Sequence, residues 1–329
     1  MLCSFVWLAA TLTALAAENP FLGQWELTIP GGAAGWLGVE EKDGKPKADM
    51  LWGWGSVEPL ALAKVEGEHL VLSRNYQVER TDAAGKKTKV QLTETITGTI
   101  KGDRIQLVSV KPDENVPGRE NRASFSGRRE PPLPPAPRLD QVKFGPAINL
   151  LNGQDLTGWR LTDPNAVNGW SVKDGLLVND PVQEKGKPHK NYGNLRTDRE
   201  FEDFDLHVEV RVDKDQNSGV YLRGIYEVQV ADTFGHGLDS HNMGAVYSRL
   251  KPTVAAEKAP GEWQTLDITL VDRHVTVVLN GKRIIANQPL LGCTGGALWS
   301  DVSKPGPIYL QGDHTGIAYR RLVLKPVVK

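Results

Sequence analysis

The amino-acid sequence predicts an all-β protein in which a two-sheet jelly-roll sandwich follows a smaller β-meander or β-barrel domain. Two observations lead to this prediction. The 329 residues include 34 Gly and 21 Pro, and few stretches have the hydrophobic period of an amphipathic helix. Short runs of alternating apolar and polar residues recur instead along the chain, bounded by turn-forming residues. A chain of this length is also expected to form two domains.

Residues 1–17 form an apolar run that ends in the small-residue pattern Ala14-Leu15-Ala16. Such a run is too short to cross a bilayer comfortably and is typical of a secretory signal peptide, although a basic start is missing. We therefore expect an exported protein with no membrane span after signal removal. Cys293 would then be its only cysteine, so no intrachain disulfide is available, and a buried or loop position is expected for it.

Residues 19–129 are predicted to form the smaller β domain. Strand-like runs occupy positions 23–29, 36–39, 48–54, 60–65, 70–76, 90–97, 97–100, 104–110 and 123–128. Adjacent short strands joined by tight turns favour an up-and-down meander that closes into a small barrel. Four tryptophans of this domain could form a sugar-stacking surface, but core packing is the more usual role. They are Trp25, Trp36, Trp52 and Trp54.

Residues 130–139 mark the predicted boundary between the domains. Five prolines fall between positions 131 and 137. A proline-rich stretch can sustain neither a helix nor a central strand, so a stiff, extended linker is expected here.

Residues 140–329 are predicted to form the sandwich. Strand-like runs continue through this region with almost no helical pattern between them. Asn280-Gly281 separates two such runs and is a strong signal for a two-residue hairpin turn. Many short strands in a domain of this size favour two packed sheets.

A polar face with unusual composition lies within residues 204–234. Three runs there alternate apolar with polar residues, which is typical of strands with one face on a core. The polar positions carry carboxylates, guanidinium groups, an amide and a phenol, and none of them is lysine. They are Glu209, Arg211, Tyr221, Arg223, Glu227 and Gln229. We interpret this face as the lining of an active-site cleft.

The balance of charge argues against two kinds of partner. The chain has 39 Lys and Arg against 40 Asp and Glu, which gives a formal net charge of -1. Nucleic acids and anionic membranes are bound through an excess of basic residues. We therefore expect neither as a partner.

Several motifs of residues 140–329 together resemble one known family. They are L-L-N-G-Q-D-L-T-G-W, W-S-V-K-D-G-L-L, F-E-D-F-D-L-H-V-E-V-R, N-S-G-V-Y-L-R, Y-E-V-Q-V-A-D and G-P-I-Y-L-Q-G-D-H. In this order they are similar to the 3-keto-disaccharide hydrolases, also described as 3-keto-glycoside lyases and 3-keto-2-hydroxyglucal hydratases. The resemblance implies a concanavalin A-like lectin/glucanase sandwich and a periplasmic or secreted bacterial enzyme whose substrate is a 3-keto-glucoside or disaccharide. It does not extend to residues 19–129.

The resemblance implies an elimination reaction. A ketone at C3 acidifies the C2 proton, whose removal allows the C1 substituent to leave, and water added to the resulting enone completes a net hydrolysis. Such a site needs a base, donors for the enolate oxygen and an acid for the leaving group. We expect Glu227 to be the base, because burial can raise the pKa of a carboxylate. His314, in G-D-H-T, is a candidate acid or metal ligand, and Arg223 a candidate enolate donor.

The other polar residues are expected to bind the sugar. Arg211 is a second candidate donor, Gln229 and Gln311 would orient hydroxyl groups, and Glu209 and Tyr221 would complete the lining. Structural roles remain open for several of these residues. Glu209 and Arg211 also fit a cross-strand charge network, Arg223 and Glu227 a structural ion pair, and His314 a loop cap.

A divalent metal is possible as a cofactor, although no compact metal motif occurs in the sequence. Its candidate ligands are Asp232, Asp313 and His314, which offer carboxylate and imidazole groups. The identity of such a metal is not predicted.

Two other functions also fit the residues. Glucanases of this fold use an E-x-D-x-x-E strand, whereas Glu227 to Asp232 read E-V-Q-V-A-D, with glutamine at the central position. Because the central carboxylate is missing, ordinary two-carboxylate glycoside hydrolysis is a less favoured hypothesis than elimination. A non-catalytic carbohydrate-binding module would need aromatic and hydrogen-bonding residues but little clustering of ionisable groups.

Overall fold

A computed structural model describes residues 19–81 and 85–328 of the protein. Every regular element within these residues is a β-strand, so the predicted all-β class is confirmed. The predicted signal peptide, residues 1–17, lies outside the described residues. Across the described part of the chain, no helix is long and apolar enough to cross a membrane.

The first nine strands form one antiparallel sheet. They are β1 (Gly23–Thr28), β2 (Ala34–Lys42), β3 (Lys45–Leu51), β4 (Glu58–Pro59), β5 (Leu62–Glu66), β6 (His69–Thr81), β7 (Lys87–Lys101), β8 (Arg104–Pro112) and β9 (Glu120–Arg129). Each strand pairs with the next in sequence except that β4 and β5 do not pair with each other. β9 returns to pair with β1, where Trp25 lies opposite Arg129. The predicted meander is therefore cyclic, with one opening between β4 and β5.

The strand predicted over 48–54 ends early, at Leu51. Gly53 and Gly55 have φ angles of 91° and 77°, in the left-handed region that an extended strand cannot use. The chain consequently leaves the sheet as segment 52–57, which joins β3 to β4. This segment becomes important at the functional site.

The proline-rich residues 130–139 run along the sandwich. Arg273 donates to the carbonyls of Pro131 and Pro132 at 2.8 and 2.7 Å, and the Asn287 amide donates to Pro137 at 3.1 Å. Proline has no N–H group to donate, so its carbonyls supply the contacts that hold this stretch against the strands.

The remaining strands form two antiparallel sheets. The eight-stranded sheet contains β10 (Ile148–Asn149), β12 (Trp170–Lys173), β13 (Leu176–Asn179), β15 (Phe204–Arg211), β18 (Trp263–Val271), β19 (His274–Leu279), β20 (Lys282–Pro289) and β22 (Ile317–Pro326). The five-stranded sheet contains β11 (Trp159–Leu161), β14 (Leu195–Thr197), β16 (Asn217–Leu222), β17 (Tyr226–Ala231) and β21 (Tyr309–Leu310).

The two sheets pack through the apolar sides of their alternating strands. Val208 and Val210 of β15 share one fully buried core with Val220 and Val228 of the other sheet. The predicted two-sheet sandwich is thereby confirmed. The predicted Asn280-Gly281 turn joins β19 to β20, with φ angles of 51° and 79°, as a tight two-residue hairpin requires.

The three alternating runs of residues 204–234 do not share one sheet, contrary to our interpretation. β15 lies between β22 and β18 in the eight-stranded sheet, whereas β16 and β17 are neighbours in the five-stranded sheet. Because the apolar sides of both sheets meet in the core, the polar side of β15 and those of β16 and β17 face opposite outer surfaces of the sandwich. Alternation determines which side of a strand is apolar, but it does not determine which sheet the strand joins.

The N-terminal sheet packs against the loops that follow β17 and β20. Trp36 and Leu51 belong to the same apolar core as the sandwich residues. The Val302 N–H donates to Glu26 Oε1 at 2.9 Å, and Arg128 pairs with Asp301 at 2.7 Å. The two parts of the chain therefore share both a core and buried polar contacts.

Candidate active site

A cavity of about 190 Å³ lies on the outer face of the five-stranded sheet. The floor comes from β16 and β17, and the walls come from the residues after β21, the loop at 295–296 and segment 52–57. Its polar side chains are Asn217, Tyr221, Glu227, Tyr247, Gln311, Asp313 and His314. The structure thus brings together five residues that the sequence predicts for the site, together with Asn217 and Tyr247.

Glu227 lies at the bottom of this cavity. It stands opposite Tyr221 in the ladder between β16 and β17, and only 4% of its surface is exposed. Burial raises the pKa of its carboxyl group to about 8. The backbone N–H of Glu227 donates to Thr294 Oγ1 at 2.9 Å, which fixes the strand beneath the carboxyl group.

Tyr221 links this carboxyl group to the opposite wall. Its hydroxyl lies 2.8 Å from Glu227 Oε2 and 2.7 Å from the Gly295 carbonyl oxygen. A phenol has one proton, so it can donate to only one of these acceptors at a time. When Tyr221 donates to Gly295, a protonated Glu227 can donate to the phenol oxygen; when Glu227 is ionised, Tyr221 donates to it instead. The arrangement accommodates both protonation states of Glu227.

The ring of Tyr221 is held by Tyr309. The two rings stack with their centroids 4.0 Å apart and an interplanar angle of 11°. The Tyr309 hydroxyl in turn accepts from the Asn194 amide at 3.1 Å. This stacking leaves the hydroxyl of Tyr221 little freedom to move away from Glu227.

His314 and Asp313 form a pair at the more open side of the cavity. Nδ1 of His314 lies 2.8 Å from Asp313 Oδ1, and this hydrogen bond raises the pKa of the imidazole above its ordinary value. Glu227 also interacts electrostatically with His314, and a negative Glu227 favours the imidazolium form. The cavity therefore contains one group suited to accept a proton and one suited to donate a proton.

Two amide oxygens in the cavity wall have no partner. Asn217 Oδ1 and Gln311 Oε1 are buried and accept no hydrogen bond within the described residues. A buried, unpaired carbonyl oxygen costs free energy, which a ligand with hydroxyl donors would recover. Both atoms are suited to accept hydrogen bonds from a sugar.

Glu209 and Arg211 lie on the opposite side of the sandwich. Glu209 pairs with Arg320 and lies 3.2 Å from His207 Nε2. Arg211 lies over the ring of Trp263, 5.6 Å from its centroid. The contacts of Glu209 correspond to the cross-strand charge network, whereas Arg211 contacts an aromatic ring. Neither residue reaches the cavity, because β15 belongs to the eight-stranded sheet.

Arg223 is near Glu227 in sequence but is directed elsewhere. It has a φ angle of 55° in the turn between β16 and β17, so its side chain does not continue the alternation of β16. The buried guanidinium donates to the Val302 and Lys304 carbonyls, each at 2.7 Å. Arg223 forms no ion pair with Glu227. Its hydrogen bonds instead hold residues 302–304 in place.

Gln229 and Asp232 also lie outside the cavity. Gln229 shares the face of Glu227, but the chain at residues 244 and 245 hydrogen-bonds to its backbone, and its side chain is buried. Asp232 accepts the Asp215 N–H at 3.0 Å beyond the end of β17. The glucanase-like spacing from Glu227 to Asp232 therefore does not place two carboxylates in one site.

Of the three candidate metal ligands, Asp313 and His314 are adjacent in the cavity, while Asp232 is separate from them. Within residues 19–81 and 85–328, no group of three or more His, Cys, Asp and Glu side chains is arranged to hold a metal ion.

The sequence did not predict Asn217 or Tyr247 as cavity residues, and it favoured another role for Trp54. Asn217 belongs to the N-S-G-V-Y-L-R motif, so its position before Tyr221 was a usable signal. Tyr247 follows a long stretch without strands, and no sequence pattern around it indicates that its N–H donates to the Glu227 carbonyl at 3.0 Å. Core packing is the favoured expectation for Trp54 and the three other tryptophans of the first domain, with a sugar-stacking surface as the alternative. Trp54 lines this cavity, whereas Trp25 and Trp36 are buried.

A larger cleft, of about 310 Å³, lies between the N-terminal sheet and residues 298–301. Three of its four charged residues bind one another, because Arg128 pairs with Glu26 at 2.6 Å and with Asp301 at 2.7 Å. Paired charges of this kind have a structural role, so the Glu227 cavity is the better candidate for chemistry.

One family profile matches the sandwich region of the chain. The profile of the 3-keto-alpha-glucoside-1,2-lyase-like domain matches residues 146–325, a range that includes every cavity residue except those of segment 52–57. No curated protein matches the sequence.

Solved structures with similarity to the chain cover its sandwich region. A candidate glycosyl hydrolase from Parabacteroides distasonis ATCC 8503 is 29% identical and covers 59% of this chain and 92% of its own, with a TM-score of 0.45. A second candidate glycosyl hydrolase from this organism is 21% identical, with 55% and 94% coverage and a TM-score of 0.46. The endo-beta-1,3(4)-glucanase SCLam, of family GH16, is 12% identical, with 60% and 94% coverage and a TM-score of 0.34.

Proposed function

The chain belongs to the 3-keto-alpha-glucoside-1,2-lyase-like family, and from this premise we propose that it cleaves 3-keto-glycosides by elimination, with Glu227 as the base. Family membership makes the protein a carbohydrate-active enzyme. The proposal of elimination with Glu227 as the base rests on the burial of its carboxyl group, whose pKa of about 8 lies close to neutral pH. A general base works best when its pKa is near the operating pH.

The proposed reaction begins at C2 of the keto sugar. Glu227 takes the C2 proton, and the C2–H electrons delocalise into the C3 carbonyl as an enolate. The enolate then re-forms the ketone, a double bond forms between C1 and C2, and the C1–O bond breaks toward the leaving group. Water can add its oxygen to C1 of this enone while the protonated Glu227 returns a proton to C2, which completes a net hydrolysis.

Tyr221 supports the base in both of its states. Its hydroxyl stabilises the carboxylate before proton transfer and accepts from the carboxylic acid afterwards, while donating to Gly295. Glu227 can therefore change its charge without leaving Tyr221 or the Gly295 carbonyl unpaired. Because Tyr221 only changes its hydrogen-bond acceptor between Glu227 and Gly295, the site needs little reorganisation during proton transfer.

His314 is the proposed acid for the leaving group. Its hydrogen bond to Asp313 raises its pKa, so that more of the imidazole is protonated near neutral pH. The imidazolium can donate to the departing C1 oxygen and recover a proton from the water that adds at C1. Asn217 and Gln311 would accept hydrogen bonds from sugar hydroxyls through their unpaired oxygens.

Ordinary glycoside hydrolysis is the second candidate. Asp313 is another carboxylate in the same cavity, and the raised pKa of Glu227 would also suit the acid of a two-carboxylate glycosidase. The hydrogen bond between Asp313 and His314 argues for its use in holding the imidazole. The two candidates differ in whether the substrate must carry a ketone.

The test compares a 3-keto disaccharide with its unoxidised parent. We expect turnover of the keto sugar alone, with 2-hydroxy-3-keto-glucal or 3-keto-glucose as product and with solvent deuterium entering C2. Glu227→Gln should abolish both turnover and exchange while circular dichroism shows an intact fold. Turnover of the parent disaccharide at a similar rate would instead support the glycosidase, and full activity of Glu227→Gln would remove Glu227 from the base role.

Export is a separate part of the proposal. It is supported by the apolar residues 1–17 and their A-x-A pattern. Fractionation of expressing cells, followed by N-terminal sequencing, should find a processed chain outside the cytoplasm. An unprocessed chain confined to the cytoplasm would contradict export without affecting the proposed chemistry.

A further inference from the structure

Segment 52–57 of the N-terminal sheet is built into the wall of the Glu227 cavity. The Gly296 N–H donates to the Gly53 carbonyl at 2.9 Å, and the Val57 N–H donates to Ser248 Oγ at 2.8 Å. Ser56 Oγ lies 2.9 Å from His241 Nε2. These contacts come from separate loops of the sandwich, so the segment has a fixed position at the cavity.

Glycine makes this close approach possible. A Cβ atom at Gly295 would overlap with the backbone of Gly55, so the two segments can meet only because position 295 has no side chain. The same Gly295 provides the carbonyl that faces the Tyr221 hydroxyl. Segment 52–57 therefore packs directly against the backbone that contacts the reacting group.

Trp54 stands at the mouth of the cavity. Trp54 is 68% exposed, whereas Glu227 at the bottom is 4% exposed. A Cβ atom at Gly296 would lie 3.5 Å from Trp54 Cζ3, which locates the ring beside the wall. Among the described residues, Trp54 takes part in none of the aromatic or cation–π contacts that engage Trp52 and Trp36. An indole held in this place presents an open apolar surface to a ligand.

The size of the cavity indicates which part of a substrate meets this surface. About 190 Å³ is below the range of roughly 300–1,000 Å³ that drug-sized ligands occupy, so the closed part has room for about one sugar ring. The keto sugar must occupy it, because its C2 has to reach Glu227. The leaving group then extends toward the mouth, where Trp54 lies.

We propose that Trp54 stacks against the leaving-group ring of the substrate and that the N-terminal sheet thereby sets leaving-group preference. The C–H face of a pyranose is apolar and flat enough to cover an indole, while its hydroxyl groups remain in water. Residues 52–57 lie outside the range matched by the family profile, so this contact is a property of this chain's additional sheet. The inference rests on the proposed function for the position of the keto sugar.

The test uses two substrates with the same keto sugar and different leaving groups. Trp54→Ala should lower kcat/KM about tenfold for a 3-keto disaccharide, as loss of one aromatic contact predicts. For the methyl 3-keto-glucoside the change should be less than about twofold, because methanol has no ring to stack. Trp54→Phe should restore part of the loss. Phe234→Ala, at another exposed aromatic residue that is 52% exposed, is the matched control and should change neither substrate.

Equal losses on both substrates, or no loss on either, would overturn the inference. If the unaltered enzyme turns over neither keto sugar, the proposed function fails, and calorimetry with the unoxidised disaccharide then decides the role of Trp54. A Kd weakened about tenfold in Trp54→Ala would uphold stacking, and an unchanged Kd would overturn it.

Discussion

Gly219 faces the carboxyl group of Glu227 across the ladder between β16 and β17, and a Cβ atom at position 219 would overlap with Glu227 Oε1. The absence of a side chain at Gly219 therefore makes room for the proposed base. Gly219→Ala should displace the carboxyl group and lower kcat by at least about tenfold, with a stability loss of about 1–3 kcal/mol typical of overpacking. Enzyme assays and urea unfolding would measure both effects.

Gly145→Ala provides the control for that substitution. A Cβ atom at Gly145 would make ordinary contacts of 3.4–3.5 Å with Val328 and Pro326, far from the cavity. Its kcat should equal that of the unaltered enzyme. An unchanged kcat in Gly219→Ala would show that the position of Glu227 is not set by Gly219.

The buried Glu227 should make the protein less stable as pH rises. Its pKa is about 8 in the folded chain and near 4.5 in the unfolded chain, so the unfolded state ionises first. Stability is therefore unaffected by this group below pH 4.5, falls with rising pH between 4.5 and about 8, and is constant above that range. Glu227→Gln removes the penalty, so its stability advantage should increase across this window in urea unfolding.

The stability difference between Glu209→Gln and the unaltered protein should change with pH in the opposite direction. Burial disfavours the ionised Glu209, but hydrogen bonds from Arg320 and His207 outweigh this effect and lower its pKa. Its ionised form thus stabilises the fold, and the glutamine variant should lose stability relative to the unaltered protein as pH rises through the acidic range. A Glu227→Gln advantage independent of pH would contradict the raised pKa.

The loss of kcat in His314→Gln should depend on the leaving group of the substrate. An alcohol needs a proton to depart, whereas para-nitrophenolate leaves without one. We expect kcat to fall about 100-fold or more for an alkyl 3-keto-glucoside and much less for the para-nitrophenyl compound. His207→Gln, on the opposite face of the sandwich, should affect neither. Equal losses for both leaving groups would mean that His314 does not act as the acid.

Arg223→Met should reduce stability more than catalysis. It leaves the Val302 and Lys304 carbonyls without their donor, at a cost of about 1–3 kcal/mol. The variant that remains folded should retain kcat within about threefold of the unaltered enzyme. A collapse of kcat with unchanged urea unfolding would return Arg223 to the catalytic role that the sequence suggested for it.

The strands of the site could be predicted because each carries its own pattern. Tyr221 and Glu227 alternate with apolar neighbours, and this local property determines which way they face. Glu209 and Arg211 have the same local pattern, but their strand pairs with β18 and β22, which lie far away in sequence. Pairing over such distances depends on the assembled core, so alternation alone could not separate the two groups.

The wall of the cavity was harder to predict for another reason. Trp54 and Gly295 come from loops on different parts of the chain, and their meeting depends on how the N-terminal sheet packs against the sandwich. Loops have no periodicity from which a position can be derived. Composition could identify tryptophans in the first 129 residues, but not which of them would remain uncovered.

The pairing of Trp25 with Arg129 means that the chain enters and leaves the N-terminal sheet at neighbouring points. A unit with adjacent ends can be gained, lost or exchanged by a single genetic insertion without redirecting the rest of the polypeptide. The chemistry of the sandwich and the recognition surface above it can therefore diverge separately. If Trp54 contacts the leaving group as proposed, exchange of this sheet would change leaving-group preference without any substitution at Glu227, Tyr221 or His314.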